Sequence, residues 1–134
     1  MLSLAAGCGV DPQPPRLGGD WEITHKDGVV NPRPSETVFL FTEPGAGKPG
    51  FFIIGVEVDG GGYLHSDGMP YSTDTSQPQD FLDHEGNRDI AAEIGIFDFL
   101  DNDTVDWKTT IDQPRPVNFE PEPNYTLYRL HRMF

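Results

Sequence analysis

The stretch Ile94–Ile111, IGIFDFLDNDTVDWKTTI, decides the fold. Phe97 and Phe99 alternate with Asp98 on the way in. Val105, Trp107, Thr109 and Ile111 alternate with Asp106, Lys108 and Thr110 on the way out. Successive side chains leave opposite faces of a pleated strand, so strict alternation marks strands with one covered face. Asp101-Asn102-Asp103 between the two runs is turn chemistry. The stretch reads as one β-hairpin with Phe97, Phe99, Val105 and Trp107 on its inner face.

The segments around it read as further strands laid against this hairpin. Trp21, Ile23 and His25 share one face of a first strand, with Glu22, Thr24 and Lys26 on the other, and Asp27-Gly28 ends it. Thr37–Thr42 is wholly apolar but for its ends and is expected to be covered on both faces. Phe51–Val58 is the most hydrophobic strand; Asp59-Gly60-Gly61-Gly62 turns it and Tyr63–Ser66 returns. Asp67–Gln79 has no period and reads as a loop. Asp80–His84 after Pro78 reads as one helical turn. Asp89–Ile94 reads as a strand, since Gly95 argues against a continuing helix. Ile111–Asn124 carries Pro114, Pro116, Pro121 and Pro123 and reads as an extended arm, because proline removes a ladder donor. Tyr125–Arg132 closes the chain as a last strand. Seven or eight short strands with hairpin-like connections predict an all-β fold: a small antiparallel up-and-down β-barrel, or alternatively a β-sandwich.

The totals bound the function. A chain of 134 residues is expected to be one domain with a modest core. The formal charge is −13, and thirteen acidic residues lie in Glu57–Asp106, where Arg88 is the only Lys or Arg. Such a field repels phosphate backbones, which argues against nucleic acid as a partner. No stretch approaches the roughly 20 apolar residues of a membrane-spanning helix. Cys8 is the single cysteine, so no internal disulfide is available.

Leu4-Ala5-Ala6-Gly7-Cys8 resembles the lipobox of bacterial lipoproteins. The resemblance implies a diacylglyceryl group on the Cys8 thiol, cleavage just before it, and a signal sequence that starts upstream of Met1. The Pro-rich segment Gly9–Arg16 that follows has the composition of a spacer. Residues 1–18 thus read as truncated signal, lipobox and tether, and 19–134 as the folded domain. The implied address is the bacterial cell envelope, membrane-anchored, periplasmic or at the cell surface.

Gly19-Asp20-Trp21 at the start of the first strand resembles the Gly-x-Trp signature of lipocalins and their calycin relatives. In that family an arginine on the last strand packs across the tryptophan and closes the barrel base. Tyr128-Arg129-Leu130-His131-Arg132 offers Arg129, or Arg132, for that role, giving Gly19, Trp21 and Arg129 as a candidate closure. The resemblance implies a lipocalin-like barrel that binds a small apolar ligand.

Nucleophilic catalysis finds no support in the residues, and the abundance of acids makes any one carboxylate pair for hydrolysis uninformative. There is no Gly-x-Ser-x-Gly, Cys8 precedes the domain, and the four histidines lack metal-ligand spacing. Glu43–Gly50 fails as a phosphate loop, because Thr42 stands where the first glycine belongs and Pro49 where Ser or Thr belongs. One constellation stands out. If Phe99 pairs with Val105, Asp98 lies opposite Asp106, with Asp101 and Asp103 in the turn, and four carboxylates there could hold a hard cation such as calcium. The chain therefore reads as a non-catalytic, lipid-anchored envelope protein with a possible small apolar ligand. The alternatives are a structural or protein-interaction module without a ligand, and an acidic cation-binding domain.

Overall fold

The computed structural model of the protein describes residues 16–133. The lipobox-like segment at Cys8 and most of the 1–18 tether lie outside the described residues. None of the described residues is helical. The strands are β1 (Gly19–Lys26), β2 (Val29–Val30), β3 (Thr37–Phe41), β4 (Gly50–Glu57), β5 (Tyr63–His65), β6 (Met69–Asp74), β7 (Asp80–His84), β8 (Ile94–Asp101), β9 (Thr104–Thr110) and β10 (Thr126–Arg132). Each of the eight long strands pairs antiparallel with the next in the order β1-β3-β4-β6-β7-β8-β9-β10, and β10 returns to β1. This is the small up-and-down barrel, lipocalin-like in layout, and the sandwich alternative falls because one sheet closes on itself. β2 and β5 are short hairpin returns on β1 and β4.

The inward residues follow from the pleat. Trp21 and Ile23 of β1, Phe39 and Phe41 of β3, Phe52 of β4, Leu82 of β7, Phe97 of β8, Val105 and Trp107 of β9 and Leu130 of β10 are all buried in one cluster. Trp107 stands at its centre, with the rings of Phe39, Phe41, Phe52 and Tyr128 at centroid distances of 5.8, 6.0, 5.3 and 5.9 Å. Its indole N–H donates to the Leu82 carbonyl at 3.3 Å. Gly95 makes room for it, since a Cβ there would sit 2.8 Å from the indole nitrogen and 2.5 Å from the Lys108 carbonyl oxygen. Edge-to-face and tilted aromatic pairs of this kind add roughly 0.5–1.5 kcal/mol each beyond their buried area.

The hairpin register is the expected one: Phe97 faces Trp107, Asp98 faces Asp106 and Phe99 faces Val105, with a bulge between Phe99 and Asp101. Four readings are corrected. Met69–Asp74, within the segment read as loop, forms β6. Asp80–His84 is strand β7 rather than a helical turn, because Leu82 and His84 alternate into the core while Tyr71–Asp74 pairs alongside. The strand read over Asp89–Ile94 begins only at Ile94. The Asn87 side-chain carbonyl accepts from the Asp89 and Ile90 amides and folds that segment as a loop. Finally, β1 bulges at Thr24: Ile23 pairs with Leu130, but His25 pairs with Arg129 and Lys26 with Tyr128. One extra residue reverses the pleat. His25 therefore leaves the face of Trp21 and Ile23 for the outer wall.

The proline-rich arm, 111–125, lies over the outer face of β9 and buries it. Arg115 grips Asp83 of β7 with two bonds of 2.6 and 2.8 Å and sits 3.9 Å over the Phe81 ring. Lys108, fully buried, donates to Glu122 and to Asn118 (3.2 Å), with Tyr125 beside it. A buried ammonium is costly unless paired, whereas Glu122 is half in water. Glu122→Ala should therefore cost about 3 kcal/mol by stranding the ammonium. Lys108→Met should stay within about 1 kcal/mol of the parent, because the surviving Glu122 is solvated. Urea unfolding of the two variants measures the order; Lys108→Met as the more harmful change would contradict it.

Candidate functional site

The barrel has one sealed end and one open end. At the sealed end the chain enters through Leu17, whose carbonyl accepts the Trp21 indole N–H at 2.7 Å. A guanidinium lies 4.3 Å from the Trp21 ring centroid, and it belongs to Arg132. Arg132 also donates to the carbonyls of Gly18 (2.7 Å), Arg16 (2.6 Å) and Asn102 (3.2 Å), and to the Asp103 carboxylate at 3.2 Å. Gly19 stands beside it with φ of 125°, a conformation that favours glycine. The expected Gly19–Trp21 closure is thus made, but with Arg132 in place of Arg129. The reason is parity. Tyr128 and Leu130 point inward, so Arg132 shares their face, while Arg129 is on the outer one. Arg129 instead forms a two-pronged pair with Asp106, Nε to Oδ1 at 2.8 Å and Nη2 to Oδ2 at 3.1 Å. Hydrogen bonding to Asp106 raises the guanidinium pKa further above its ordinary value.

That pair also settles the opposition of Asp98 and Asp106. The two do face each other, but Asp106 is neutralised from the neighbouring strand. Asp103 is engaged by Arg132, and Asp101 accepts the Asp103 amide at 2.8 Å. The Asp103 amide and the Thr104 hydroxyl hold the Asp101 carboxyl below the usual carboxylate range. Asp98, Asp101, Asp103 and Asp106 therefore do not converge. Among the described residues no group of three or more His, Cys, Asp or Glu side chains is placed to hold a metal ion.

The open end is a mouth of about 390 Å³, lined at its base by Ile23, Phe39, Ile54 and Tyr128. The β1–β2 hairpin lines it through Lys26, Val29 and Val30, and Val56 of the β4–β5 hairpin pairs with Leu64 and with Thr37 of its wall. Val29, Val30, Val56 and Leu64 are left exposed there, Leu64 by 71%. The rim is braced: Arg33 bonds Glu36 at 2.8 Å and Glu57 at 3.1 Å, and the Tyr63 hydroxyl donates to the Ser35 carbonyl at 2.7 Å. Lys26, turned inward by the bulge, lines the mouth beside Val29. Below the base the bore is filled by Trp107 and its aromatic neighbours, so the open volume stops at Phe39 and Tyr128. Sequence reasoning missed the mouth because its lining is gathered from β1, β2, β3, β4, β10 and the segment 31–36, no one of which shows it alone.

His84 is the one histidine drawn into the core. Its Nδ1 accepts the Gly86 amide at 3.1 Å, so the imidazole proton resides on Nε2, which donates to Glu93 at 2.9 Å. Both nitrogens are spent, and neither is open to a metal or a substrate.

Comparison with protein-family models, curated proteins and solved structures gives no match. The layout of the barrel and the geometry of its two ends are what the functional reading rests on.

Two measurements test these sites. Arg132→Ala should lose about 2–3 kcal/mol, from the cation–π contact and the charged hydrogen bonds. It should also shift Trp emission to the red as Trp21 is uncovered; a variant as stable as the parent would refute the closure. The second concerns pH. Burial, then Glu43, pushes the Tyr71 phenol from 10.0 up to about 12, and burial, then Glu93 and Asp27, raises that of Tyr128 further. A phenol that holds its proton longer when folded stabilises fully below its unfolded pKa, and that contribution is lost as pH rises toward the folded one. Stability should therefore fall as pH climbs from about 10 to about 12, with tyrosinate absorbance from these two residues appearing late. Early ionisation of all tyrosines in the folded protein would contradict this.

Proposed function

We propose that this protein is a non-catalytic, lipid-anchored protein of the bacterial cell envelope whose barrel takes a small apolar ligand in its open mouth. The observation that carries the ligand reading is the mouth itself: an apolar base of Ile23, Phe39, Ile54 and Tyr128 under a braced, partly charged rim. Its volume lies at the lower end of the roughly 300–1,000 Å³ of small-molecule sites. The filled bore below limits the occupant to a short or compact molecule. Lys26 at the rim suits an apolar body with a polar head. The anchor reading is supported by the lipobox-like residues before Cys8, by the absence of any other cysteine, and by the Pro-rich segment leading to Leu17. The calycin-type reading draws support from the Gly19–Trp21–Arg132 closure at the sealed end.

A second reading is favoured by one observation. Val29, Val30, Val56 and Leu64 form an exposed apolar collar around the mouth, which fits a protein partner in the envelope covering that end.

A neutral apolar fluorescent probe such as N-phenylnaphthylamine should bind with enhanced emission, and Ile54→Arg should weaken it by about tenfold or more through an unpaired charge in the base. A probe that ignores Ile54→Arg, or fails to bind, would overturn the ligand reading. For the anchor, palmitate label should enter the product of the complete gene and be lost in Cys8→Ser; label that persists refutes it.

A further inference from the structure

A second cleft opens on the outer wall, away from the mouth, where the proline-rich arm approaches the seam between β1 and β10. It encloses about 270 Å³. Asp106, Arg129 and His25 supply its polar lining, and Phe119, Pro121 and Leu127 its apolar lining. Three separate features build it. The bulge at Thr24 turns His25 outward, opposite Arg129. The arm carries Phe119 and Pro121 across to the β1–β2 turn, where a Cβ on Gly28 would lie 3.2 Å from the Pro121 ring. The ion pair fixes both Asp106 and Arg129 in orientation. Bulges recur where a side chain must be re-aimed at a site.

The hydrogen-bonding capacity left over defines the occupant. Arg129 spends Nε and one Nη2 proton on Asp106, so its Nη1 protons and the second Nη2 proton remain, on a side chain that is 43% exposed. Each Asp106 oxygen keeps a further lone pair. The Thr24 hydroxyl is within hydrogen-bond reach of both the Arg129 carbonyl oxygen, at 3.2 Å, and His25 Nδ1, at 3.0 Å. Nε2 of His25 is left over for a ligand, as an acceptor in one tautomer and a donor in the other. Donors and acceptors thus alternate in one cleft beside an aromatic ring.

We propose that this cleft binds a neutral saccharide residue. A sugar hydroxyl both donates and accepts, which matches Arg129, Asp106 and His25 together, and the C–H face of a pyranose packs on an aromatic ring such as Phe119. An anion is disfavoured, because Asp106 cancels the charge of Arg129 and Asp98 stands opposite Asp106. A wholly apolar ligand would cover the ion pair and leave its spare donors unpaired. The volume, below that of drug-sized sites, admits a single ring with the rest of a glycan projecting outward.

The test is amide NMR of the full chain titrated with the methyl glycosides of glucose, galactose and N-acetylglucosamine at millimolar concentrations, and with phenyl phosphate as the anionic arm. Shifts at His25, Leu127 and Arg129 with at least one sugar are expected. Phe119→Ala should weaken them about tenfold, His25→Leu should weaken them likewise, and Ile54→Arg in the mouth should leave them unchanged. Either outer-wall variant suffices if the other unfolds, which the dispersion of its own spectrum reports. No shift with any sugar, a preference for phenyl phosphate, or sugar shifts indifferent to both outer-wall variants would overturn the proposal. Loss of sugar binding in Ile54→Arg would also overturn it, by assigning the sugar to the mouth.

Discussion

The pairing of β10 with β1 is the constraint on which everything else depends. It converts a ten-stranded ribbon into a closed wall and leaves β1 and β10 with no free flank along their paired length. The seam is the longest-range contact of the main strands, joining Trp21 to Arg132. Arg132 secures it by stacking on Trp21 and by holding the carbonyls of the incoming chain. The inner cluster around Trp107 can fill only because the wall is closed. The two ends acquire different characters from the same act: one sealed by Leu17, Trp21 and Arg132, the other left open above Phe39 and Tyr128.

The outer wall has its own organisation. Closure places Asp106 of β9 beside Arg129 of β10, and the β1 bulge adds His25 to that pair. The arm then covers β9, with Lys108 tied to Glu122 and Arg115 to Asp83. An apparent conflict in the sequence, two aspartates face to face, is resolved by a cation from a third strand. The acidic surplus of the chain stays on the surface elsewhere.

Much of the barrel was legible in the residues. Alternation fixed the β8–β9 hairpin down to the register of Asp98 and Asp106, because one face is apolar and a slip would turn it to water. The glycine and proline pattern gave the arm and the main turns. Hydropathy failed where burial is supplied by long-range neighbours. β6 carries Pro70, Ser72, Thr73 and Asp74, so only its pairing with β4 and β7 makes it a strand. His84 hides its polarity in two hydrogen bonds, and a window of sequence does not show them. At the sealed end, Arg132 rather than Arg129 follows from the parity of Tyr128 and Leu130, a signal that was present. The bulge at Thr24 has no comparable signature, so the outward turn of His25, and with it the polar corner of the outer cleft, could not be read in advance.

Closure by the last strand has a consequence for biosynthesis. Until Thr126–Arg132 has emerged, the growing sheet carries two open flanks, β1 and β9, with the Trp107 face uncovered between them. Such an intermediate is a template for pairing with another chain. A protein of this design is therefore most exposed to misassembly in the interval before β10 is made. The acidic surplus acts during that same interval, keeping partly made chains apart by mutual repulsion.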